Sequence, residues 1–240
     1  MTSRYTTRFA VSDADVKSAQ ALRFKAFRGG EGLDVDAFDP ACKHILVTES
    51  ATGHLVCTFR LLPLANGAQI GQSYSAQFYD LTSLHTIKGM IVEVGRFCID
   101  PAYSDPDILR IAWSAMTGFV DDNDVELLFG CTSFSGTDSD EYTDAFALLK
   151  DRHLAPKRWL PKIKAPEVFR FAAKLKLFKP NLKAAQKHMP PLLRSYLLMG
   201  GWVSDHAVVD TELNTLHVFT AMNVADIPTN RKRLLRAMAG

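Results

Sequence analysis

Between Met90 and Asp100 the chain reads Met-Ile-Val-Glu-Val-Gly-Arg-Phe-Cys-Ile-Asp, an apolar, β-branched run that predicts a buried strand. It nevertheless carries Glu93, Gly95 and Arg96 within four consecutive places. Charged side chains are buried only when paired, so Glu93 and Arg96 are expected to face each other, a ligand or a wet cleft. On a regular strand positions i and i+3 point to opposite faces, and Gly95 is where a bulge would bring both to one side. The plain alternative is an internal ion pair at a sheet edge.

A chain of 240 residues with 47% hydrophobic side chains has ample material for a core. No apolar run approaches the length of a membrane span and no signal peptide opens the sequence, so a cytoplasmic protein is expected. Cys42, Cys57, Cys98 and Cys131 are far apart without a Cys-x-x-Cys pair, which argues for reduced thiols and against a zinc site or a disulfide framework. The net charge of +2 is unevenly laid out. From Lys150 to Lys187 twelve Lys or Arg stand against two acids, while acids gather at Asp34 to Asp39, Asp121 to Asp124 and Asp138 to Asp144.

Tyr5 to Val11 predicts a first strand, and Ser12 or Asp13 caps a helix running to about Phe27, with Val16, Ala19, Leu22 and Ala26 on its buried stripe. Arg23 and Phe27 are one turn apart on a neighbouring face, either as a surface arginine over an aromatic ring or as a lip over a site. Gly29-Gly30 ends the helix and opens an acidic loop containing Asp34, Asp36 and Asp39, either a solvated turn or a reader of a cationic substrate. Lys43 to Glu49 and His54 to Leu62 form a hairpin that places Arg60 near a strand end. A short helix is expected around Ala76 to Leu84. Asp105-Pro106-Asp107 starts a helix ending near Val120, and Val125 to Cys131 is the next strand. This β-α-β order predicts a parallel pair with a right-handed crossover inside a mostly antiparallel sheet.

In the second half, Asp140 to Asp151 predicts a helix. Val168, Phe171, Leu175 and Phe178 then repeat at helical spacing among Arg170, Lys174 and Lys176, which predicts a basic amphipathic helix over Glu167 to Phe178. That helix either packs on the core with a solvated basic face or lies on a membrane surface. Leu192 to Met199 predicts another helix, His206 to Asp210 and Thr215 to Met222 two strands, and Arg231 to Arg236 a terminal helix. No repeat or linker marks a boundary, so residues 1–240 are expected to form one domain with a basic helical insertion at about 150–190.

Nucleotide-binding loops, zinc-protease motifs and nucleophile elbows are absent, and the seven histidines lack ligand spacing, so no metal is expected. The aromatics of the basic stretch sit on an expected helix face rather than a strand platform, which argues against nucleic acid.

Leu22-Arg-Phe-Lys-Ala-Phe27, Asp36-Ala-Phe-Asp39, Phe59-Arg-Leu-Leu-Pro63 and Glu93-Val-Gly-Arg-Phe97 follow one another in an order that resembles acyl-homoserine lactone synthases and bacterial ornithine-lipid N-acyltransferases. Leu128-Phe-Gly-Cys-Thr-Ser-Phe134, the run from Pro190 to Trp202 and the run from Asp210 to His217 resemble the second of these branches. The resemblance implies an α/β (α+β), GNAT-like fold. It also implies transfer of a 3-hydroxyacyl group from acyl carrier protein to the α-amine of ornithine, giving lyso-ornithine lipid, with glutamine as the competing acceptor. One departure is Tyr103-Ser-Asp-Pro-Asp107, which puts acids where many GNAT proteins cradle a pyrophosphate; this disfavours a coenzyme A donor.

Such chemistry needs a group that holds an ammonium, lets it lose a proton, and a donor set for the developing oxyanion. Glu93 is the candidate for the first tasks, and Arg96 either fixes Glu93 or binds the amino-acid carboxylate. Backbone N–H groups at Phe97, Cys98 and Ile99 are the oxyanion candidates, and Cys98 as an acyl-carrying nucleophile is a weaker rival. Arg23, Phe27, Asp36, Asp39 and Arg60 are expected to shape the acceptor pocket. The basic stretch 150–187 is expected to meet acyl carrier protein or an anionic membrane at its inner face. A non-catalytic module that only binds the carrier or a membrane is the alternative of a different class.

Overall fold

The structure is a computed structural model that describes residues 3–239. In chain order its first elements are strand β1 (Tyr5–Phe9), helix α1 (Asp13–Arg28), β2 (Lys43–Glu49), β3 (Leu55–Leu64), β4 (Tyr79–Asp80) and β5 (Ile91–Ile99). There follow α2 (Pro106–Asp122), β6 (Leu127–Ser135), α3 (Thr143–Arg152), β7 (Lys162–Ile163), β8 (Val168–Phe169) and α4 (Phe171–Lys174). The last are α5 (Leu182–His188), α6 (Pro191–Leu198), β9 (Trp202–Asp210), β10 (Thr215–Asn223) and α7 (Thr229–Ala239). The chain divides into two compact units, one of residues 1–63, 92–125 and 229–240, the other of residues 64–91 and 126–228.

In the first unit the strands run in the order β1-β2-β3-β5, with β2 antiparallel to both β1 and β3. β2 and β3 bury consecutive residues rather than alternate ones, as strands covered on both faces do. Both α1 and α2 lie against β2. Helix α1 starts where the Ser12 side chain accepts from Asp15 N–H, and it ends where Gly29 turns to a φ of 72° and donates its N–H to Lys25. Its buried positions are Ala19, Gln20, Leu22 and Arg23, so two polar side chains share the core stripe with apolar ones. Arg23 is therefore neither a surface arginine nor a lip. Helix α2 is capped by Asp105, whose side chain accepts from Asp107 N–H, and its Phe119 meets Phe9 of β1 edge to face at 6.2 Å.

In the second unit the strands run β6-β10-β9-β8, all antiparallel, beside the small pair β4 and β7. One face of this sheet carries Phe134, Leu216, Val218, Val203 and Ala207, packed with Phe146 and Leu149 of α3, Ala185 of α5 and Leu193 of α6. Fully burying each of the large side chains contributes about 1.5–3 kcal/mol.

Two expected helices are absent. The segment 76–84 is β4 flanked by single 3₁₀ turns at Ser75–Gln77 and Thr82–Leu84. The expected basic helix over Glu167 to Phe178 is instead an edge strand, in which Val168 and Phe169 pair with Val208 and Ala207, followed by the one-turn helix α4. The insertion at 150–190 is thus mixed rather than helical. Among the described residues no helix is long and apolar enough to cross a membrane.

Candidate active site

Four separate pieces of the first unit bring charge together. Helix α1 supplies Gln20 and Arg23, the loop after Gly29-Gly30 supplies Asp34, Asp36 and Asp39, β3 supplies Arg60, and β5 supplies Glu93 and Arg96. The loop is tied to the helix by its own backbone, since Asp34 N–H donates to Gln20 C=O at 3.1 Å.

The three arginines and three aspartates alternate in a closed ring. Arg23 donates from Nε to Asp34 Oδ2 at 2.8 Å and from Nη1 to Asp39 Oδ1 at 2.7 Å. Arg60 bridges Asp39 and Asp36, with contacts of 2.5, 2.6 and 2.8 Å. Arg96 closes the circuit, with Nε 3.1 Å from Asp34 Oδ2 and Nη2 3.1 Å from Asp36 Oδ2. Each carboxylate thus meets at least two guanidinium groups and each guanidinium at least two carboxylates, with a longer Arg23–Asp36 contact of 4.0 Å as a further link. Burying so much charge is tolerable only because every member is paired, and removing one partner from such a set costs about 3–5 kcal/mol. Gln20 Nε2 adds a bond to Asp39 Oδ2 at 2.9 Å, and His44 Nε2 stands 3.1 Å from Asp39 C=O.

Burial alone would raise the Asp39 carboxyl, but bonds from Arg23 and Gln20 prevail and bring its pKa down to about 2. Asp36 is lowered in the same way, with burial opposed chiefly by Arg60. Burial works against the Arg60 cation, yet Asp36 outweighs it and raises its pKa. Asp36, Asp39 and Arg60 are therefore ionised at neutral pH. The ring's solvent-facing edge is the pair Asp36 and Arg96, whose side chains are 19% and 12% exposed, against 4% for Asp34 and 1% for Arg23.

Arg96 reaches the ring through a left-handed backbone, with a φ of 51°. That conformation costs a non-glycine residue about 1–2 kcal/mol and breaks the alternation of β5. The change of phase predicted at Gly95 thus falls one residue later. A Cβ at Gly95 would lie 3.5 Å from Arg60 Nε, in ordinary van der Waals contact, so this position faces the ring. Glu93 is buried on the same strand, three residues before Arg96. Within the ring Arg96 pairs with Asp34 and Asp36.

The other expected residues are placed as follows. Phe27 is half-buried on α1 one turn beyond Arg23. Phe97 stacks on the buried Phe59 at 5.3 Å. Cys98 is buried, which pushes its thiol up to about 12, and Ile99 ends β5. Asp36 and Asp39, read from sequence as partners for a substrate ammonium, both pair with arginines of the ring; Asp39 is buried, while Asp36 keeps the exposed edge. Gln20 and His44 were not foreseen, and Asp34 was foreseen only as a member of the acidic loop. For Gln20 the signal was a polar residue three positions before Arg23 on the helix.

The second unit holds a separate buried polar cluster. Tyr79 Oη donates to His217 C=O at 2.8 Å and lies 3.2 Å from His217 Nδ1, and the Tyr79 ring is 5.2 Å from that of His206. Burial lowers the His217 pKa to about 4, so that imidazole is neutral.

A family model described as an acetyltransferase (GNAT) domain matches residues 20–114, the span that contains the whole ring and Glu93. An L-ornithine N(alpha)-acyltransferase of Rhodobacter capsulatus is 31% identical over 235 residues, covering 91% of this chain and 90% of the relative. The chain belongs to the L-ornithine N(α)-acyltransferase family. A second member, from Rhizobium meliloti, is 29% identical and covers 92% of this chain and 80% of its own. The fold of this family member also matches FeeM, an N-acyl amino acid synthase from uncultured soil microbes, with a TM-score of 0.53 and 13% identity over 98% of this chain and 97% of that one. BjaI, a CoA-dependent acyl-homoserine lactone synthase, gives a TM-score of 0.50 at 12% identity over 95% and 83%. The protein is an acyltransferase with the expected GNAT-like fold of mixed α/β class and mostly antiparallel pairing.

Proposed function

We propose that this acyltransferase moves a 3-hydroxyacyl group from acyl carrier protein to the α-amine of L-ornithine, forming lyso-ornithine lipid. The observation that carries this reading is the near full-length relationship to enzymes named for ornithine N-acylation.

The ring gives it chemical support. A free amino acid presents a carboxylate and an ammonium close together, and Arg96 and Asp36 offer the opposite pair on the exposed edge of the ring. In the step itself Glu93 takes a proton from the ammonium, the amine forms the N–C bond, and the C–S bond breaks to leave the carrier's thiol. N–H groups of Phe97, Cys98 and Ile99 are the proposed donors to the oxyanion.

A carrier-protein donor is favoured over coenzyme A by the start of α2. Asp105 caps that helix, accepts from Arg4 at 2.7 Å and from Tyr5 Oη at 2.9 Å, and so holds a carboxylate where a phosphate would have to sit.

The test offers ornithine, lysine, glutamine and S-adenosylmethionine in competition to the enzyme with one 3-hydroxyacyl carrier protein, and identifies the acylated product by mass. Acyl-ornithine is expected to dominate, and the matching coenzyme A thioester is expected to be a poor donor. Dominant acyl-glutamine would overturn the acceptor, and carrier binding without thiol release for any amine would overturn the reaction.

A further inference from the structure

The turn between α4 and α5 in the second unit exposes what soluble proteins usually cover. Leu177 is 92% exposed, Phe178 41% and Leu182 47%, three large apolar side chains within six residues. Around them Arg170, Lys174, Lys176, Lys179, Lys183 and Lys187 are all exposed, and no acid occurs between Val168 and Ser204.

The turn is built rather than loose. Lys150 of α3, with its side chain only 11% exposed, donates from Nζ to Leu175 C=O at 2.7 Å and to Phe178 C=O at 2.9 Å. Asn181 N–H donates to Asp144 Oδ1 at 2.7 Å, and the Asn181 side chain accepts from Lys183 and Ala184 N–H to start α5. Leu175 packs inward against the core of the unit. A lysine that answers two backbone carbonyls from within holds the turn so that Leu177 and Phe178 point away from the core. The carboxylates of this region are already engaged, Asp144 with Asn181 and Asp151 with Lys150 at 3.0 Å.

We infer that the 175–182 turn docks on an anionic phospholipid surface, with Leu177 and Phe178 entering the acyl boundary and the flanking lysines meeting the headgroups. Hydrocarbon accepts apolar side chains of any shape, and anionic headgroups attract clustered lysines, so exposed apolar residues ringed by cations are the interfacial pattern. An acidic protein would use the same cations but would need an apolar surface shaped to three separate side chains. This inference does not depend on the identity of the acceptor.

The test is sedimentation of the purified protein with phosphatidylglycerol-containing vesicles and with vesicles of phosphatidylcholine alone. Wild-type protein is expected to bind the anionic vesicles about tenfold more tightly or better, and salt is expected to weaken that binding. Both L177S/F178S and K176E/K179E should lose about tenfold or more in vesicle affinity while lipid-free turnover stays unchanged. The variant F178W should shift its emission to the blue on anionic vesicles. Unaltered vesicle binding by L177S/F178S would overturn the inference. So would a raised KM for the carrier thioester in K176E/K179E with vesicle binding intact, which would assign the patch to the carrier protein.

Discussion

Arg60 grips Asp36 with both terminal nitrogens, Nη1 to Oδ1 at 2.6 Å and Nη2 to Oδ2 at 2.8 Å, and spends the same Nη1 on Asp39 at 2.5 Å. One side chain on β3 thereby fixes two positions of the acidic loop, and that loop in turn receives Arg23 from α1 and Arg96 from β5. The ring is a joint between three elements before it is anything else. It holds the backbone on which Glu93 and the proposed oxyanion donors stand.

Arg60→Lys is the first check on that joint. An ammonium cannot fork, so Asp36 loses its two-pronged contact and Asp39 one of its two cations. A loss of about 1.5–3 kcal/mol in urea unfolding is expected, with a rise in KM for the amine as the Asp36–Arg96 edge loosens. Unchanged stability would mean that the ring is not what holds the loop.

Glu93→Gln keeps volume and removes charge. If Glu93 handles the proton of the amine, kcat should fall by roughly 10²-fold or more while the unfolding midpoint moves little. Near-normal turnover would remove Glu93 from the mechanism. Intact turnover per folded molecule with a large loss of stability would assign it to structure instead.

Much of this was legible in the chain, for identifiable reasons. Ser12 and Gly29 bound α1 because a cap and a left-handed glycine are local signals, and the hairpin of β2 and β3 was plain from its Ser50 to Gly53 turn. Arg23 was misjudged because its partners lie 11 and 16 residues ahead in an irregular loop, and nothing local on a helix marks a buried arginine. Val168, Phe171, Leu175 and Phe178 do repeat at helical spacing, but Val168 and its neighbour Phe169 are committed to Val208 and Ala207, some 40 residues away. Long-range pairing overrode the local period. Phe178 is 41% exposed, so the period that suggested a buried stripe had one member that the core leaves partly in solvent.

Cys98→Ala tests the rival nucleophile. Burial pushes the Cys98 thiol up to about 12, which leaves it protonated and inert at neutral pH. The variant should keep its turnover and lose about 1 kcal/mol of stability from the emptied volume. A collapse of turnover, with a covalent acyl adduct on the wild-type thiol seen by mass, would restore the covalent route.

The two units should fail in acid at different pH. Asp39 sits at about 2 and Asp100, where Lys25, the Ala102 N–H and His54 overcome burial, also at about 2. These depressed carboxylates contribute stability that is complete above the ordinary carboxylate range and is lost as pH falls towards 2, about 2 kcal/mol for Asp39. His217 has the same sign in a higher window: the unfolded imidazole takes up its proton near 6.5, the buried one only at about 4. Stability tied to His217 is therefore present above pH 6.5 and drains as pH falls to 4, by about 3 kcal/mol. Urea unfolding of wild-type protein between pH 7 and pH 4 should show that decline, and His217→Gln should flatten it from a lower starting stability. Asp39→Asn should lower stability throughout this window without changing the slope, and should flatten the further decline only below pH 4. If His217→Gln follows the wild-type slope, the decline belongs to another group and His217 is not the acid-sensitive element of the second unit.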